Sequence, residues 1–574
     1  MAKLKRKTAD VPAAALFGEF LQRKGLVDKA ELAKALSYQQ EHGGLLGQVA
    51  IALGLVEDRD IATALAEYLH VPLADLRREV AEPDALALID EVYAREHDIV
   101  PLRVEDGTLF VAMADPRDKA MVQELERKTS RRIQPLVASR ADIARTIGGA
   151  YTNVSEVRSQ AQALQDLMAG DRGTLEKPPE LETMIANAPA VQIVNLVMAQ
   201  GLRDRASDIH LEPQENNLRV RFRVDGSLQD VARLPSEIAA PLVSRIKIMA
   251  DMNIVERHLP QDGRLEITID GNSVDVRVST TETLWGEKVV MRLLPKQREL
   301  LTLTQLGMSE SEQTTFRKMT RSPFGMIVVA GPTGSGKTTT LYATMAELDR
   351  VHRNIVTVED PVEYVFGDIN QIQIRTQVGI TFASGLKSIL RQDPDVMLVG
   401  EIRDVETARI AVQSALTGHF VMSSIHAIDS VAALMRFLDM GIEPFLVAAS
   451  LVGIAAQRLL RRTCTHCQEP GTLTPEEMDF YKAFTGRTPR KKFMRGAGCN
   501  FCGETGYLGR VGVFELLRVS DHVKRLVLAS ASYEAIHQVA VSEGLVGLRT
   551  GALQQVDAGT TTVSEVMRTL YEAT

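Results

Sequence analysis

Residues 326–348 read MIVVAGPTGSGKTTTLYATMAEL. Met326 to Ala330 form an unbroken apolar run, which reads as a buried strand. A turn rich in Gly and Thr follows, and then Leu341, Tyr342 and Met345 recur at helical spacing. Within the turn, Gly331, Gly336, Lys337 and Thr338 satisfy the spacing G-x4-G-K-[ST]. The glycines let backbone N–H groups curl around phosphate oxygens, and the helix N-terminus adds partial positive charge. Lys337 would reach the β- and γ-phosphates, and the Thr338 hydroxyl would ligate Mg²⁺. The nucleotide-binding residues expected here are Gly331, Pro332, Thr333, Gly334, Ser335, Gly336, Lys337, Thr338 and Thr339.

Further along, apolar strands continue to alternate with helices, the pattern of an α/β domain with a parallel sheet. Two of these strands end in acids. NIVTVEDPVEY (354–364) carries Glu359 and Asp360 at its end with Glu363 just beyond, and DVMLVGEIRD (395–404) ends in Gly400-Glu401. ATP hydrolysis requires carboxylates that organise Mg²⁺ and water, and strand C-termini beside a phosphate loop are where they must sit. HFVMSSIHA (419–427) is a further strand, flanked by His419 and His426, and His426 is placed to sense the γ-phosphate.

All four cysteines fall into two C-x2-C pairs, Cys464/Cys467 and Cys499/Cys502. Four thiolates in two such knuckles match a closed, structural Zn²⁺ site, and His466 between them reads as a bystander. Four cysteines in 574 residues exclude a disulfide framework. The net charge of −8 and an aromatic share of 5%, with Trp285 the sole tryptophan, argue against a dedicated nucleic-acid binder. No apolar run approaches the roughly 20 residues of a membrane-spanning helix, so a cytoplasmic protein that meets the membrane through partners is expected.

The N-terminal region opens with a repeat. LFGEFLQRKGLVDKAELAKALSYQQ (16–40) aligns with LLGQVAIALGLVEDRDIATALAEYL (45–69), matching Gly18 to Gly47, Gly25 to Gly54 and Leu36 to Leu65. Each copy reads as two short helices joined at a glycine. The domains expected are a helical repeat module (1–75), a small α/β unit (76–150), a linker (151–182) and a middle α/β domain (183–300). A nucleotide-binding core (301–460), a tetracysteine insertion (461–515) and a C-terminal helical region (516–574) follow. In the middle domain, strands such as LRVRFRV (218–224) place Arg221, Arg223, Arg277 and Arg292 where a second domain closing over ATP would supply guanidinium groups.

The chain resembles the assembly ATPases of type II secretion and type IV pilus systems over about residues 180–570. ASDIHLEP (206–213), RFRVDGSL (221–228), LPQDGRL (259–265), VEDPVEY (358–364), LRQDPDVMLVGEIRD (390–404), TGHFVMSSIHA (417–427) and GYLGRVGVFELL (506–517) carry the resemblance. It implies a RecA-like P-loop ATPase domain preceded by a PAS-like α/β domain. It also implies Glu401 as catalytic carboxylate, Glu359 as a metal- or water-organising acid and His426 as the histidine-box residue, with Arg221, Arg223 and Arg277 as candidate arginines. It further implies a homohexamer using ATP, Mg²⁺ and Zn²⁺. Such a ring would work on an inner-membrane platform protein and the cytoplasmic domain of a membrane-anchored assembly protein. The first reading is a motor for a type II secretion pseudopilus. A type IV pilus extension ATPase is the second, and a nucleotide-binding scaffold or cyclic di-GMP sensor without turnover the third. Residues 16–73 resemble repeats that bind cyclic di-GMP in part of this family. Leu16 and Leu45 stand where those repeats carry arginine, so cyclic di-GMP binding is expected to be weak or absent.

Overall fold

Alternating apolar strands and helices fold as the periodicity dictates. The computed structural model describes residues 13–151, 189–269, 272–295, 300–490 and 492–570. The expected linker lies outside the described residues from 152 onward. Two units are distinguished: one takes residues up to Arg205 together with Gly498–Thr505, and the other takes Ala206–Ala497 and Gly506–Thr574.

In the first unit the repeat forms four helices, Ala13–Arg23, Lys29–His42, Leu46–Ala52 and Asp58–Leu69. The repeated glycines have a common cause. Gly25 and Gly54 take left-handed backbone at equivalent turns, φ 72° and 68°. A Cβ on Gly18 would meet Leu32 at 2.7 Å, and one on Gly47 would meet the equivalent Ile61 at 2.8 Å. Strands β1 (Ile99–Glu105), β2 (Thr108–Met113) and β3 (Arg132–Val137) make a small sheet in that order, with the expected helix Lys119–Thr129 between β2 and β3. Helix Pro189–Arg203, expected in the middle domain, belongs to this unit, where Arg203 reaches Glu91 at 3.4 Å.

In the second unit, strands β4 (Asp208–Pro213), β5 (Asn217–Val224), β6 (Ser227–Pro235), β7 (Gln261–Ile269), β8 (Asn272–Thr283) and β9 (Gly286–Pro295) pair antiparallel in the order β6-β5-β4-β9-β8-β7. The second sheet contains β10 (Gly325–Ala330), β11 (Ile355–Glu359), β12 (Asn370–Gln373), β13 (Val396–Val399) and β14 (Phe420–Ile425). It is completed by β15 (Leu451–Thr463) and β18 (Tyr507–Arg518). Its order is β12-β11-β13-β14-β10-β15-β18, parallel throughout except for the β15–β18 pair. Strands β10, β13 and β14 are buried along their whole length, as a parallel sheet covered on both faces requires.

The cysteine-bearing excursion is shorter than the sequence indicated. β15 extends to Thr463 and β18 starts at Tyr507, and the two are adjacent in the main sheet. The excursion is therefore 464–506 rather than 461–515. It carries a small ribbon of β16 (Gln468–Gly471) and β17 (Phe493–Gly496), with helix Pro475–Thr485 between them.

Candidate functional site

The phosphate loop leaves the C-terminal end of β10, between β14 and β15 in the sheet, and runs into helix Lys337–Glu347. Gly336 caps that helix with φ 87°, and a Cβ there would press on the Gln457 amide at 3.0 Å. Glycine is thus required on both counts. Pro332, Thr333 and Gly334 are exposed, while Ser335 and Thr340 are buried and anchor the loop from below. Lys337 Nζ donates to the carbonyls of Gly331 and Pro332, both at 3.0 Å, so the ammonium lies within the curl of the loop. Burial lowers the Lys337 pKa, Glu401 opposes that shift, and the Arg458 charge adds to it. Thr338 sits in the first helical turn, beside the lysine, where a hydroxyl reaches a phosphate-bound cation.

Glu401 follows β13 by two residues and comes to the same place. Its carboxylate contacts the Arg403 guanidinium and stands 3.6 Å from His426 Nε2. His426 lies just past the end of β14, the neighbour of both β13 and β10. Burial and the Lys337 charge lower the His426 pKa, and Glu401 offsets part of this. The imidazole is therefore neutral at neutral pH and can exchange a proton or a hydrogen bond with water. Lys337, Glu401 and His426, read from separate strand ends, form one cluster.

Glu359 is placed differently from the expectation. It is 3% exposed at the end of β11, and its carboxylate is held by neutral donors from inside the fold. Tyr342 donates its hydroxyl to Oε2, and Thr357 and Gln371 donate to Oε1 at 2.6 and 3.1 Å. The carboxylate is thus engaged by three neutral donors from inside the fold, behind the phosphate loop. The exposed acids of the segment are Asp360 and Glu363.

The arginines separate in the same manner. Arg221 donates to Glu212 at 2.7 Å, a carboxylate shared with Lys288 at 3.1 Å. Arg223 donates to the Gly226 carbonyl at 2.9 Å and lies 3.8 Å from Asp208, which takes a 2.8 Å hydrogen bond from Arg292. Arg277 has no ion pair among the described residues. It lines a cavity of about 480 Å³ and stands opposite Arg264 in the β7–β8 register. Burial and Arg264 lower its pKa, while Glu363 and Asp360 act in the opposite sense. Of the three expected arginines, Arg277 is the one that feels acids of the nucleotide-binding half, Glu363 and Asp360.

The sequence assigns no role to Gln457 and Arg458 of β15, although they open the family-like segment QRLLRRTC (457–464). Gln457 is 1% exposed and hydrogen-bonded to the phosphate loop. Arg458 donates to the carbonyls of Gln457 and Ile428, at 3.0 and 2.7 Å. The available signal was a polar pair interrupting the apolar run Ile454-Ala455-Ala456.

The four cysteines converge, with all sulfurs within 4.8 Å of one another. Cys499 Sγ and Cys502 Sγ are 3.7 Å apart, close to the ~3.8 Å that tetrahedral Zn–S bonds of about 2.3 Å demand. Burial pushes the Cys499 thiol up to about 11, so a bound cation has to displace its proton. The donor set therefore fits zinc.

Comparison with known proteins agrees with this arrangement. Residues 184–568 match the family described as type II/IV secretion system protein, and residues 69–156 match the MshEN domain. The type IV pilus assembly ATPase PilB of Myxococcus xanthus is 40% identical over 564 residues, covering 96% of this chain and 98% of that protein. The type II secretion system protein E of Xanthomonas campestris is 38% identical, with the same coverage of both chains. The type II secretion system ATPase E of Vibrio cholerae is 41% identical over 80% of this chain and 91% of its own length. With its phosphate loop, Glu401 and His426 gathered at the C-terminal ends of neighbouring parallel strands, the chain belongs to the type II/IV secretion system protein family and is an ATPase.

Proposed function

We propose that this chain is the motor of a type II secretion system, hydrolysing ATP at the cytoplasmic face of the inner membrane to drive assembly of a pseudopilus. The observation that carries the reading is the convergence of Lys337, Glu401 and His426. Lys337 holds the terminal phosphates, and Glu401 orients the attacking water and accepts its proton. His426 hydrogen-bonds at the γ-phosphate edge, and its neutral state suits that role. A Mg²⁺ ion held through Thr338 would neutralise phosphate charge. Arg277 adds positive charge from the middle domain. A zinc ion on Cys464, Cys467, Cys499 and Cys502 would serve folding and take no part in the chemistry.

The active form in this reading is a homohexamer, with an inner-membrane platform protein and the cytoplasmic domain of a membrane-anchored assembly protein as partners. No helix among the described residues is long and apolar enough to cross a membrane, so attachment runs through those partners. The Myxococcus PilB relative, matched over nearly its full length, favours a second reading, extension of a type IV pilus.

A deletion strain separates the two. The first reading expects loss of exoprotein from the medium with surface pili intact, restored by the wild-type gene and not by Glu401→Gln. Loss of pili with normal secretion establishes the second reading instead.

A further inference from the structure

A phosphate loop binds by turning its N–H groups inward, so its carbonyls must turn away and find donors elsewhere. The Ser335 carbonyl faces the protein interior, where Ser335 is 3% exposed. Its donor is a side chain 122 residues away, Gln457 Nε2 at 2.5 Å. The same carboxamide accepts the Thr340 hydroxyl on Oε1 at 2.7 Å. Since the Ser335 carbonyl can only accept, the amide nitrogen has to face it, which leaves Oε1 to accept from the Thr340 hydroxyl and determines the orientation. The main chain of Gln457 closes on the start of the loop as well, because a Cβ on Gly331 would meet the Gln457 carbonyl at 2.8 Å. β15 lies beside β10 with Ala456 opposite Ala330, so the brace is applied where the strand gives way to the loop.

We propose that Gln457 is a positioning residue for ATP hydrolysis, holding the Ser335–Gly336 peptide so that the loop is already in its phosphate-binding shape before nucleotide arrives. Thr340 acts with it by holding the far end of the amide through Oε1. Without the brace the loop samples other conformations, and apparent affinity falls in proportion to the lost competent fraction. The loop holds ground-state and transition-state phosphates alike, so KM rises more than kcat falls.

The test uses the full-length chain, titrated with fluorescent ADP and assayed for phosphate release. Gln457→Leu, which removes both hydrogen bonds, is expected to bind ADP about 10-fold or more weakly. Gln457→Glu keeps the length but cannot donate to Ser335, and it is expected to lose as much. Thr340→Val is expected to lose about 3- to 5-fold, and Thr340→Ser, which keeps the hydroxyl, to recover most of that. The Gln457→Leu/Thr340→Val double variant should bind no worse than Gln457→Leu alone, because the two groups share one network. The inference rests on nucleotide binding at this loop, which the wild-type titration checks by itself. Wild-type affinity in Gln457→Leu overturns the proposal while leaving that binding intact. A lowered melting temperature with unchanged ADP affinity also overturns it, leaving Gln457 a core residue only. If Gln457→Leu does not fold, the Thr340→Val and Thr340→Ser pair decides, and equal affinity in the two refutes the brace.

Discussion

Arg277→Ala and Arg221→Ala should part company by about three orders of magnitude in turnover. Both arginines lie on strands of the antiparallel sheet, but their surroundings differ. Arg221 is bound to Glu212, and Lys288 sits on the same carboxylate. Removing Arg221 leaves Glu212 with a cation, so the loss is less than the ~1.5–3 kcal/mol of a charged hydrogen bond, about 1 kcal/mol of stability. Turnover should stay within about twofold, since nothing that touches nucleotide has changed. Arg277 has a partly desolvated guanidinium beside Arg264, an unfavourable arrangement. The negative charge it feels comes from Glu363 and Asp360, in the acidic segment that follows β11. An arginine kept charged under these conditions is poised for an anion. If that anion is the transferred phosphoryl group, Arg277→Ala lowers kcat by about 10³, or about 4 kcal/mol of barrier. Phosphate release at saturating Mg·ATP measures this, and circular dichroism checks that both variants are folded. Mixing Arg277→Ala with Glu401→Gln chains shows whether the arginine acts across a subunit boundary, because some mixed interfaces then regain a complete site. Near-wild-type turnover of Arg277→Ala, or a thousandfold loss in folded Arg221→Ala, refutes the reasoning.

Three other expectations are open to direct measurement. Purified protein should contain stoichiometric zinc by elemental analysis, and Cys464→Ser should lose it along with local order in 464–506 while nucleotide binding persists. Glu565 has no exposed side-chain surface and takes hydrogen bonds from Arg568 and Arg461 at 2.7–3.0 Å. Burial alone would raise its pKa, but those guanidinium bonds outweigh it and the native carboxyl lies below its ordinary value. Its stabilisation is therefore complete above the unfolded pKa near ~4.3 and is lost as pH falls through the lower native value. Glu565→Ala should cost about 3 kcal/mol near neutral pH by denaturant unfolding, and an unchanged midpoint would count against the assignment. Cyclic di-GMP should give no submicromolar isotherm with the full chain in calorimetry, since Leu45 offers an apolar side chain, 41% exposed, in place of a guanidinium.

What the sequence disclosed tracks how local each signal is. The phosphate loop and the cysteine knuckles are short patterns, and the structure has them where the spacing puts them. The repeat glycines are equally legible, since each is required by a turn or contact within its own helix pair. Glu359 shows the limit. A carboxylate at a strand end looks the same whether it meets solvent or three donors, and two of those donors, Tyr342 and Gln371, come from other elements. Arg221 and Arg277 likewise share a pattern along the chain and differ only in the cross-strand neighbours that sheet order supplies. The start of the cysteine-bearing segment is likewise not a local signal, because pairing with β18, set by distant residues, carries β15 to Thr463.

The loop that carries His426 gives the site a mechanical consequence. Three successive residues after it are gripped by three separate elements. The Ile428 carbonyl accepts from Arg458 on β15 at 2.7 Å. The Asp429 carboxylate accepts from the Tyr533 hydroxyl at 2.8 Å. The Ser430 amide and hydroxyl donate to Glu515 on β18 at 2.9 and 2.5 Å. Glu515 is itself buried and also accepts from the Leu548 amide at 3.2 Å, at the start of helix Leu548–Asp557. Moving the histidine loop against these elements would forfeit about 0.5–1.5 kcal/mol per neutral hydrogen bond and more for those to Glu515. Moving the loop together with the C-terminal helices alone keeps only the Tyr533 bond, because Arg458 and Glu515 belong to β15 and β18 of the main sheet. The histidine loop is therefore tied to β15, β18 and helix Tyr533–Ser542 at once, and a displacement of His426 on phosphate release is cheapest when that whole body moves with it.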